Sequence, residues 1–560
     1  MLPSLSLTSA ASGPQIPFFR FFKLAFTDRL PRNERSTSPG DLHVRHRGRG
    51  HSYANRPDSD AQHMACFPDK KTFFGMSNDY DAVPISRRLL SDALTPVSAF
   101  RRIDRGGTAC LFESVVGGEN VGRYSFLAID PQVQVDSSAN LVTVTENGES
   151  TSFESDNPLE EIRSRIDQFN VAQFPGLPPF TGGAVGYAGY DVVRYVEELP
   201  NAPNDDRGLP DMSFAFYDRM LVFDHITKTI TVVALAWTNK HNDLNTAYAD
   251  ANRRIDEMIE LLNQPGSDLT CVDADLPTGP APDFKSNFTQ QQFEQAVKDC
   301  IEYIRAGDIF QVVLSQRLQL EISCDPFEIY RSLRVMNPSP FMFFLRTGKT
   351  TLVGSSPEIM CRVVDNEMTV RPLAGTRKRG RTHQEDMELE RELLADEKER
   401  AEHVMLVDLG RNDVGRVARY GSIQLPDVMV VERYSHVMHI SSTVTGQLDD
   451  HADAFDALMA SLPAGTVSGA PKVRAMEIID EFEPHRRGPY AGAVGYIDYS
   501  DNMDTCIALR TMVIKDNIAY VQAGAGIVAD SDPTSEYEET LNKARGLLRA
   551  IQMTHERVNR

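Results

Sequence analysis

Two pairs of glutamates with the same spacing are the most suggestive chemical groups in this 560-residue sequence. Glu399 and Glu402 lie in one predicted helix, and Glu536 and Glu539 lie in another. Residues three apart project from one face of a helix, so each pair can present two carboxylates to one cation such as Mg²⁺. Such pairs are also common on solvated helix faces. The largely apolar run 405–413 favours an interior position for Glu402, where a carboxylate needs a partner.

A second group of residues has the chemistry to bind an anion. Gly524 and Gly526 follow a strand-like run, and a loop there lets backbone N–H groups approach a negative charge, although a tight turn is the alternative. Arg510 lies in apolar sequence, where its guanidinium can clamp a carboxylate or form an internal ion pair. Lys543 is a further cation in a helical segment. His439 is by default a core histidine.

The elements that must position these residues divide the chain into segments. Residues 1–75 are rich in Arg and Ser and lack an apolar period, so we predict a disordered extension there. This extension is either an organelle transit peptide or an over-long start before Met76. The Pro-, Gly- and Asp-rich run 265–287 predicts a linker between an amino-terminal subdomain, 76–264, and a second domain, 288–552, with a tail at 553–560.

Local patterns within these segments predict individual elements. The runs 213–217, 220–224 and 230–237 are rich in β-forming residues and are joined by short turns, which indicates an antiparallel meander. The run 244–262 has helical spacing of its apolar residues. Thr289 and Gln292 form a capping box that opens a further helix.

The composition of the chain excludes several classes of protein. The formal net charge is −21 and the pI about 5.1, which argues against a nucleic-acid-binding surface. No stretch approaches the roughly 18 apolar residues of a membrane span. The seven cysteines contain no CxxC pair, which indicates neither a disulfide framework nor a zinc site but a reducing compartment. We therefore expect a cytoplasmic protein, or a plastid protein if residues 1–75 are a transit peptide.

Eight segments occur in an order that resembles the chorismate-utilising enzyme family, over roughly four fifths of the chain. The segments are 111–114, 122–126, 337–344, 354–358, 371–376, 406–413, 462–472 and 536–543. The resemblance implies an α/β (α+β) sandwich in which two large, mainly antiparallel sheets pack face to face with helices outside. It also implies two intertwined subdomains, of which 288–552 is the chorismate-binding catalytic domain.

The resemblance assigns roles to particular residues. Mg²⁺ would be bound directly by Glu402 and Glu539, and through water by Glu399 and Glu536. Glu358 would protonate the departing C4 hydroxyl, and His439 would act where pyruvate is later eliminated. The full set of implied catalytic residues is Glu358, His439, Thr466 and Gln311. The implied substrate-binding residues are Thr376, Tyr490, Arg510, Gly524, Gly526 and Lys543.

Two positions distinguish the branches of the family. The water-using, isochorismate-forming members carry a lysine where this chain has Gln311, because water needs a base whereas ammonia is already a nucleophile. The folate-branch members carry a nucleophilic lysine where this chain has Ala374. The resemblance therefore implies amination of chorismate at C2 and loss of pyruvate to give anthranilate, the first committed step of tryptophan synthesis.

The resemblance also implies a regulatory site and a partner. Glu113, Ser114, Pro340 and Met342 match a site at which tryptophan inhibits the enzyme, although Phe112 stands where leucine is usual. No glutaminase segment, with its cysteine nucleophile and histidine, is recognisable beyond the chorismate-using core. We therefore expect a separate glutamine amidotransferase subunit to supply ammonia.

Overall fold

Antiparallel strands dominate the computed structural model, which describes residues 66–90, 92–114, 122–241, 243–264, 269, 281–434 and 437–558. Within these ranges the helices are α1 (Lys70–Met76), α2 (Pro96–Ile103), α3 (Leu159–Asp167), α4 (Leu244–Asn263), α5 (Gln290–Ala306), α6 (Pro326–Met336), α7 (His383–Ala395), α8 (Glu397–Gly415), α9 (Ala454–Ser461), α10 (Lys472–Phe482) and α11 (Pro533–Val558). Short 3₁₀ turns occur at Tyr190–Tyr195 and Gly465–Val467.

The described strands form two sheets of twelve strands each. The first sheet runs in the order β1 (Ala82–Leu90), β10 (Thr229–Trp237), β9 (Arg219–Asp224), β3 (Tyr124–Ile129), β2 (Ala109–Glu113), β13 (Phe341–Thr347), β14 (Thr350–Ser356), β23 (Thr511–Lys515), β24 (Ile518–Ile527), β12 (Gln311–Glu321) and β11 (Lys285–Ser286), with β20 (Gly469–Ala470) also on β12.

The second sheet contains the remaining strands. Its order is β17 (Leu373–Lys378), β19 (Val437–Gln447), β16 (Glu367–Val370), β15 (Ile359–Val364), β22 (Met503–Ile507), β21 (Ala493–Asp498), β7 (Gly183–Ala188), β8 (Met212–Tyr217), β4 (Val133–Ser138), β5 (Leu141–Glu146) and β6 (Glu149–Glu154), with β18 (Gln424–Arg433) also on β19. The predicted sandwich of two large antiparallel sheets with helices is thereby confirmed.

Side chains that alternate between the two faces of a strand explain how each sheet packs against both the helices and the other sheet. In β10, Ile230, Val232 and Ala234 join a buried cluster with the helices over the first sheet, whereas Val233 points the other way, into a cluster shared by both sheets. Successive side chains of a strand face opposite sides, so one strand can serve two cores. In α4, the predicted stripe is buried at Ala247, Ala251, Ile255, Met258 and Leu262.

Both sheets are built jointly by the early and the late parts of the chain. In the first sheet β2 pairs with β13, with Glu113 opposite Met342. In the second sheet β7 pairs with β21, with Val185 opposite Tyr496. Because strands from 76–264 and 288–552 share each sheet, the boundary between these two segments stays a prediction.

The predicted meander at 213–237 is wrong in one respect. β9 and β10 do pair, but β8 pairs with β4 and β7 in the other sheet. The chain crosses between the sheets at Asp218, whose carboxylate accepts hydrogen bonds from Trp237 Nε1 at 2.9 Å and from Arg254 Nη1 at 2.8 Å. Strand propensity does not reveal this crossing, because it does not specify partners.

The ends of the predicted segments also need correction. The predicted extension 1–75 lies outside the described residues as far as 65, but its last residues are structured: Phe67 exchanges two backbone hydrogen bonds with Ser86, and Phe73 of α1 is fully buried. The predicted linker 265–287 is outside the description at 265–268 and 270–280, and Lys285–Ser286 form a strand. The predicted tail at 553–560 continues α11 to Val558.

Two negative findings concern the described residues alone. None of their helices is both long and apolar enough to cross a membrane. Their six cysteines are free thiols, and Cys271 lies outside the description.

Candidate active site

One cavity of about 610 Å³ brings the proposed chemistry together. β12 and β24 of the first sheet, β17 and β19 of the second, and helices α8 and α11 contribute to its wall. All the residues that the resemblance assigned to metal, substrate and catalysis line this cavity. They are Glu399, Glu402, Glu536, Glu539, Thr376, Tyr490, Arg510, Gly524, Gly526, Lys543, Gln311, Glu358, His439 and Thr466.

The two glutamate pairs face the cavity from two helices. Asp396 caps α8 by accepting from the N–H groups of Lys398 and Glu399, which sets the first turn that carries the pair. Glu402 is half-buried and accepts a hydrogen bond from Gln311 Nε2 at 3.3 Å. Burial, with the neighbouring charge of Glu399, raises the pKa of Glu402, and burial also raises the pKa of Glu536. This end of the cavity therefore has an excess of negative charge.

The donor set at this end fits a hard divalent cation. Glu399 contacts Arg377 at 3.2 Å and Glu539 contacts Lys543 at 2.8 Å, so two of the carboxylates have cationic neighbours. In the part of the chain that the structure describes, no three His, Cys, Asp or Glu side chains converge closely enough to hold a metal unaided. Mg²⁺ usually completes its shell with water and substrate oxygens, so a few carboxylates suffice.

Two glutamine residues of the cavity wall have a side-chain oxygen with no hydrogen-bond partner among the described residues. These oxygens are Gln311 Oε1 and Gln522 Oε1, and both are buried, whereas the Thr466 side chain interacts with the Glu358 carboxyl. Because buried polar atoms are nearly always hydrogen-bonded, these oxygens have hydrogen-bonding capacity left for water or for a polar ligand. The sequence reasoning missed Gln522.

Gly524 and Gly526 lie within strand β24 rather than in the predicted loop. A Cβ at Gly526 would lie 2.6 Å from Gln311 Nε2, and one at Gly524 would lie 3.0 Å from the Tyr490 hydroxyl, so the glycines give these side chains room. Because β24 extends to Ile527 and side chains alternate along a strand, Gln522 lies on the same face as Gly524 and Gly526. This spacing of two residues could have identified Gln522 as a residue of the cavity wall.

Glu358 is a buried carboxyl that follows strand β14. It is 6% exposed, and the backbone N–H of Leu373 donates to its Oε1 at 3.4 Å. Burial raises the pKa of Glu358 to about 8. The group is therefore mostly protonated at neutral pH and can donate a proton.

His439 is held in one tautomer by strand β17. Its Nδ1 donates to the carbonyl oxygen of Gly375 at 2.9 Å, and Thr376 Oγ1 lies 3.1 Å from the same nitrogen. A carbonyl can only accept, so Nδ1 carries the hydrogen. Burial lowers the pKa of the ring, which is therefore neutral near pH 7 and presents an unprotonated Nε2. Gly375, at φ +65°, forms the bulge that aims its carbonyl at the ring.

Arg510 supplies an uncompensated positive charge. Its backbone has φ +47°, a conformation that costs energy for a residue with a side chain. Among the described residues no carboxylate forms a salt bridge with its guanidinium, so the internal ion pair considered above is not present. Burial lowers its pKa. An unpaired guanidinium in a cavity wall is suited to a ligand carboxylate.

A second cavity of about 550 Å³ lies between the two sheets, lined by Glu113, Ser114, Pro340 and Met342. The Glu113 carboxylate accepts from the Tyr330 hydroxyl at 2.6 Å and from Arg334 Nη2 at 2.9 Å. Ser114 Oγ is buried without a partner in the described ranges. Ser114, a residue of this cavity wall, therefore has a hydroxyl whose hydrogen-bonding capacity is not used by the described residues.

The fold, and a cavity with carboxylates at one end and the Arg510 guanidinium in its wall, define a class of protein. Comparison with known proteins identifies this class. Residues 109–549 match the family model described as chorismate binding enzyme, and the chain belongs to this family. It is 47% identical over 492 residues to anthranilate synthase component 1 of Acetivibrio thermocellus, covering 85% of this chain and 97% of that protein.

Two further relatives indicate to which group within the family the chain belongs. The chain is 44% identical over 526 residues to the chloroplastic anthranilate synthase alpha subunit 1 of Arabidopsis thaliana, covering 87% and 88% of the two chains. The crystal structure of anthranilate synthase component I from Streptococcus pneumoniae matches with a TM-score of 0.68 at 39% identity, over 82% of this chain and 99% of that one. Within the family, the chain is a member of the anthranilate synthase component 1 group.

Proposed function

We propose that the chain adds ammonia to C2 of chorismate in the cavity of about 610 Å³ and then eliminates pyruvate, which gives anthranilate. The observation that carries this proposal is that one cavity has several carboxylates at one end and, elsewhere in its wall, the Arg510 guanidinium without a salt bridge to the described residues. Chorismate carries two carboxylates, so a cation at one end and Arg510 at the other would hold it in one orientation.

Each end of the cavity would hold one substrate carboxylate. Glu402 and Glu539 would hold Mg²⁺ directly, with Glu399 and Glu536 bound through water. When bound, Mg²⁺ would neutralise the ring carboxylate and polarise it as a Lewis acid. Arg510 and Tyr490 would bind the enolpyruvyl carboxylate. Thr376, Lys543 and the two glycines of β24 would complete the wall around the ring and its carboxylate.

The first chemical step would use Glu358 as the acid. As ammonia forms a bond to C2, the ring double bonds shift and the C4–O bond breaks. The protonated carboxyl of Glu358 would give its proton to that oxygen, which leaves as water. Gln311 would contact the nucleophile without deprotonating it, and Thr466 would contact the ring.

His439 would act in the second step. Its unprotonated Nε2 would take the hydrogen from C2 while the C3–O bond breaks. The departing enolpyruvyl group would gain one proton at its methylene carbon, from the His439 imidazolium or from solvent, and leave as pyruvate, which returns His439 to its neutral form. A neutral base is needed here, and burial keeps the ring neutral.

Features of the cavity favour this reaction over its relatives. Ala374 is 8% exposed in the wall and has no amine to attack the ring. Gln311 has no basic group to activate water.

We further propose that tryptophan inhibits by binding the second cavity, and that a glutamine amidotransferase subunit supplies the ammonia. The relatives include bacterial and chloroplastic proteins, and we propose the cytoplasm, with the plastid as the alternative.

The proposal is tested with the purified full chain, chorismate, Mg²⁺ and ammonium, by following anthranilate fluorescence. We expect a signal that EDTA abolishes and Mg²⁺ restores. Glu402→Gln should lower turnover at least 100-fold, roughly 3 kcal/mol at the transition state, whereas the exposed Glu397 of the same helix, as Glu397→Gln, should behave as wild type. Chorismate consumed without anthranilate would refute the assigned reaction, and full activity of Glu402→Gln would refute the metal assignment.

A further inference from the structure

Arg487, between α10 and β21, is a fully buried guanidinium that does not line the cavity. It forms a bidentate pair with Glu483, with Nε to Oε2 at 2.9 Å and Nη2 to Oε1 at 2.6 Å. Both side chains are only 1% exposed. Burial lowers the pKa of Arg487, but the neighbouring Glu483 carboxylate outweighs burial and raises this pKa above its usual range, so the guanidinium is charged.

The guanidinium lies 4.7 Å from the ring centre of Tyr190, which does not line the cavity, but three other contacts of Arg487 lead to the cavity wall. Nη1 donates to the carbonyl oxygen of Val467 at 2.7 Å, and Nη2 donates to that of Val313 at 2.8 Å. The guanidinium also lies 5.6 Å from the ring centre of Tyr490. Val467, Val313 and Tyr490 all line the cavity. One planar group therefore fixes three separate segments of the wall relative to each other.

A second line of contacts runs from Glu483 to the opposite part of the wall. Glu483 Oε1 accepts from the backbone N–H of Ser315 at 2.8 Å and from its hydroxyl at 2.7 Å. The Ser315 oxygen in turn accepts from Gln522 Nε2 at 2.8 Å. This bond orients the side chain of Gln522, which lines the cavity and whose buried Oε1 has no hydrogen-bond partner among the described residues.

Stability alone does not account for such a pair. Removing two charges from water costs so much that well-packed apolar residues of similar size often stabilise a core equally well. The Arg254–Asp218 pair is a useful comparison, at 14% and 8% exposure and 2.8 Å. Among the described residues the side chains of this pair contact Gln132, Asp250, Trp237 and Leu235, which do not line the cavity of about 610 Å³.

We infer that Arg487 and Glu483 are positioning residues of the active cavity. They hold Tyr490, the turn at Thr466 and the side chain of Gln522 in the arrangement that chorismate requires. This inference rests on the proposed function for the identity of the ligand. It concerns binding of chorismate rather than the bond-making steps, because neither residue reaches the reacting atoms.

The experiment measures the Kd of chorismate by calorimetry with Mg²⁺ and without ammonia, for the full chain. Arg487→Lys keeps the charge but loses the planar fork, and we expect its Kd to rise at least tenfold. Arg254→Lys is the matched control and should bind within twofold of wild type. In a double-mutant cycle, Arg487→Lys with Tyr490→Phe should weaken binding less than the product of the two single effects, because the arginine acts partly by positioning the Tyr490 hydroxyl that the second variant removes.

A milder variant keeps the test decisive if Arg487→Lys does not fold. Ser315→Ala removes only the hydroxyl between Glu483 and Gln522, and we expect its Kd to rise several-fold. Ser332→Ala, buried in α6 and bonded to Thr554 Oγ1, is its control. A Kd for the Arg487 or Ser315 variant equal to that of its control would overturn the inference.

The same samples separate this inference from the proposed function. Wild-type chain that binds chorismate but forms no anthranilate with ammonia overturns the proposed reaction and leaves the binding comparison intact. Normal turnover with unchanged binding in the variants overturns the positioning role alone. Wild-type chain that does not bind chorismate overturns both.

Discussion

Replacing Glu358 with glutamine should slow the reaction and, at the same time, stabilise the folded chain at neutral pH. The pKa of this carboxyl is about 8 because of burial, against an ordinary value of 4.5. A pKa of about 8 leaves roughly 90% of the group protonated at pH 7, whereas a pKa of 4.5 would leave under 1%. Glutamine cannot transfer a proton, so kcat should fall by roughly 10² to 10⁴.

The stability effect follows from the same pKa. A carboxyl whose pKa is raised on folding contributes stability that is fully present below its unfolded value, about 4.5, and that is lost as pH rises through about 8. The loss at pH 7 is of order 3 kcal/mol, from roughly 1.4 kcal/mol per pH unit above 4.5. Glutamine stays neutral at all these pH values. The variant should therefore gain unfolding free energy relative to wild type between pH 5 and pH 8.

Two measurements check this prediction. Chorismate consumption is followed from pH 6 to 9.5 with free ammonia held constant, where wild type should lose activity above about pH 8. Urea unfolding at pH 5 and pH 8 gives the difference in stability between the two chains. The exposed Glu367, as Glu367→Gln, is the control and should change neither quantity. Near-wild-type turnover of Glu358→Gln would contradict the acid role, and a stability difference that is the same at both pH values would contradict the raised pKa.

Three further predictions test other parts of the molecule. The His439→Ala variant should still consume chorismate but release anthranilate at least tenfold more slowly. Chromatography should then detect an amino intermediate that retains the enolpyruvyl group. If this intermediate is absent, the role of His439 in the second step is contradicted. Ser114→Ala should raise the inhibition constant of tryptophan roughly 5- to 100-fold, from the 1–3 kcal/mol of a buried hydrogen bond, without changing the KM of chorismate. Phe73→Ala should lower the unfolding free energy by roughly 3–5 kcal/mol in urea titrations, because this ring is fully buried against Tyr248. An unchanged unfolding midpoint would show that α1 does not contribute to the folded core and belongs to the predicted disordered extension.

Local elements were predictable where a short-range rule controls them. The capping box of Thr289 and Gln292 is present as predicted, because it needs only residues three apart. The buried stripe of α4 follows from its helical period. The pairing of β8 was not predictable, because strands of similar composition can join either sheet, and the choice depends on the crossing at Asp218.

The candidate site divides in the same way. Residue type and motif identified the carboxylates and Arg510 but not Gln522. Its neighbours Gly524 and Gly526 suggested a loop, whereas all three residues lie in one strand and share one of its faces. Arg487 was missed because a charged residue beside Arg486 and Gly488 resembles a surface turn. Its burial becomes evident only from the segments packed around it.

The sequence by itself therefore determined which chemical groups are available and, through its motifs, which family they belong to. Tertiary structure decided that Gln311 and Lys543, 232 positions apart, line one cavity. It also decided that Glu358 is mostly protonated at pH 7, that His439 is neutral and that Arg510 lacks an ion-pair partner among the described residues. The physical reason is that protonation and pairing depend on burial and on neighbouring charges, which long-range contacts create.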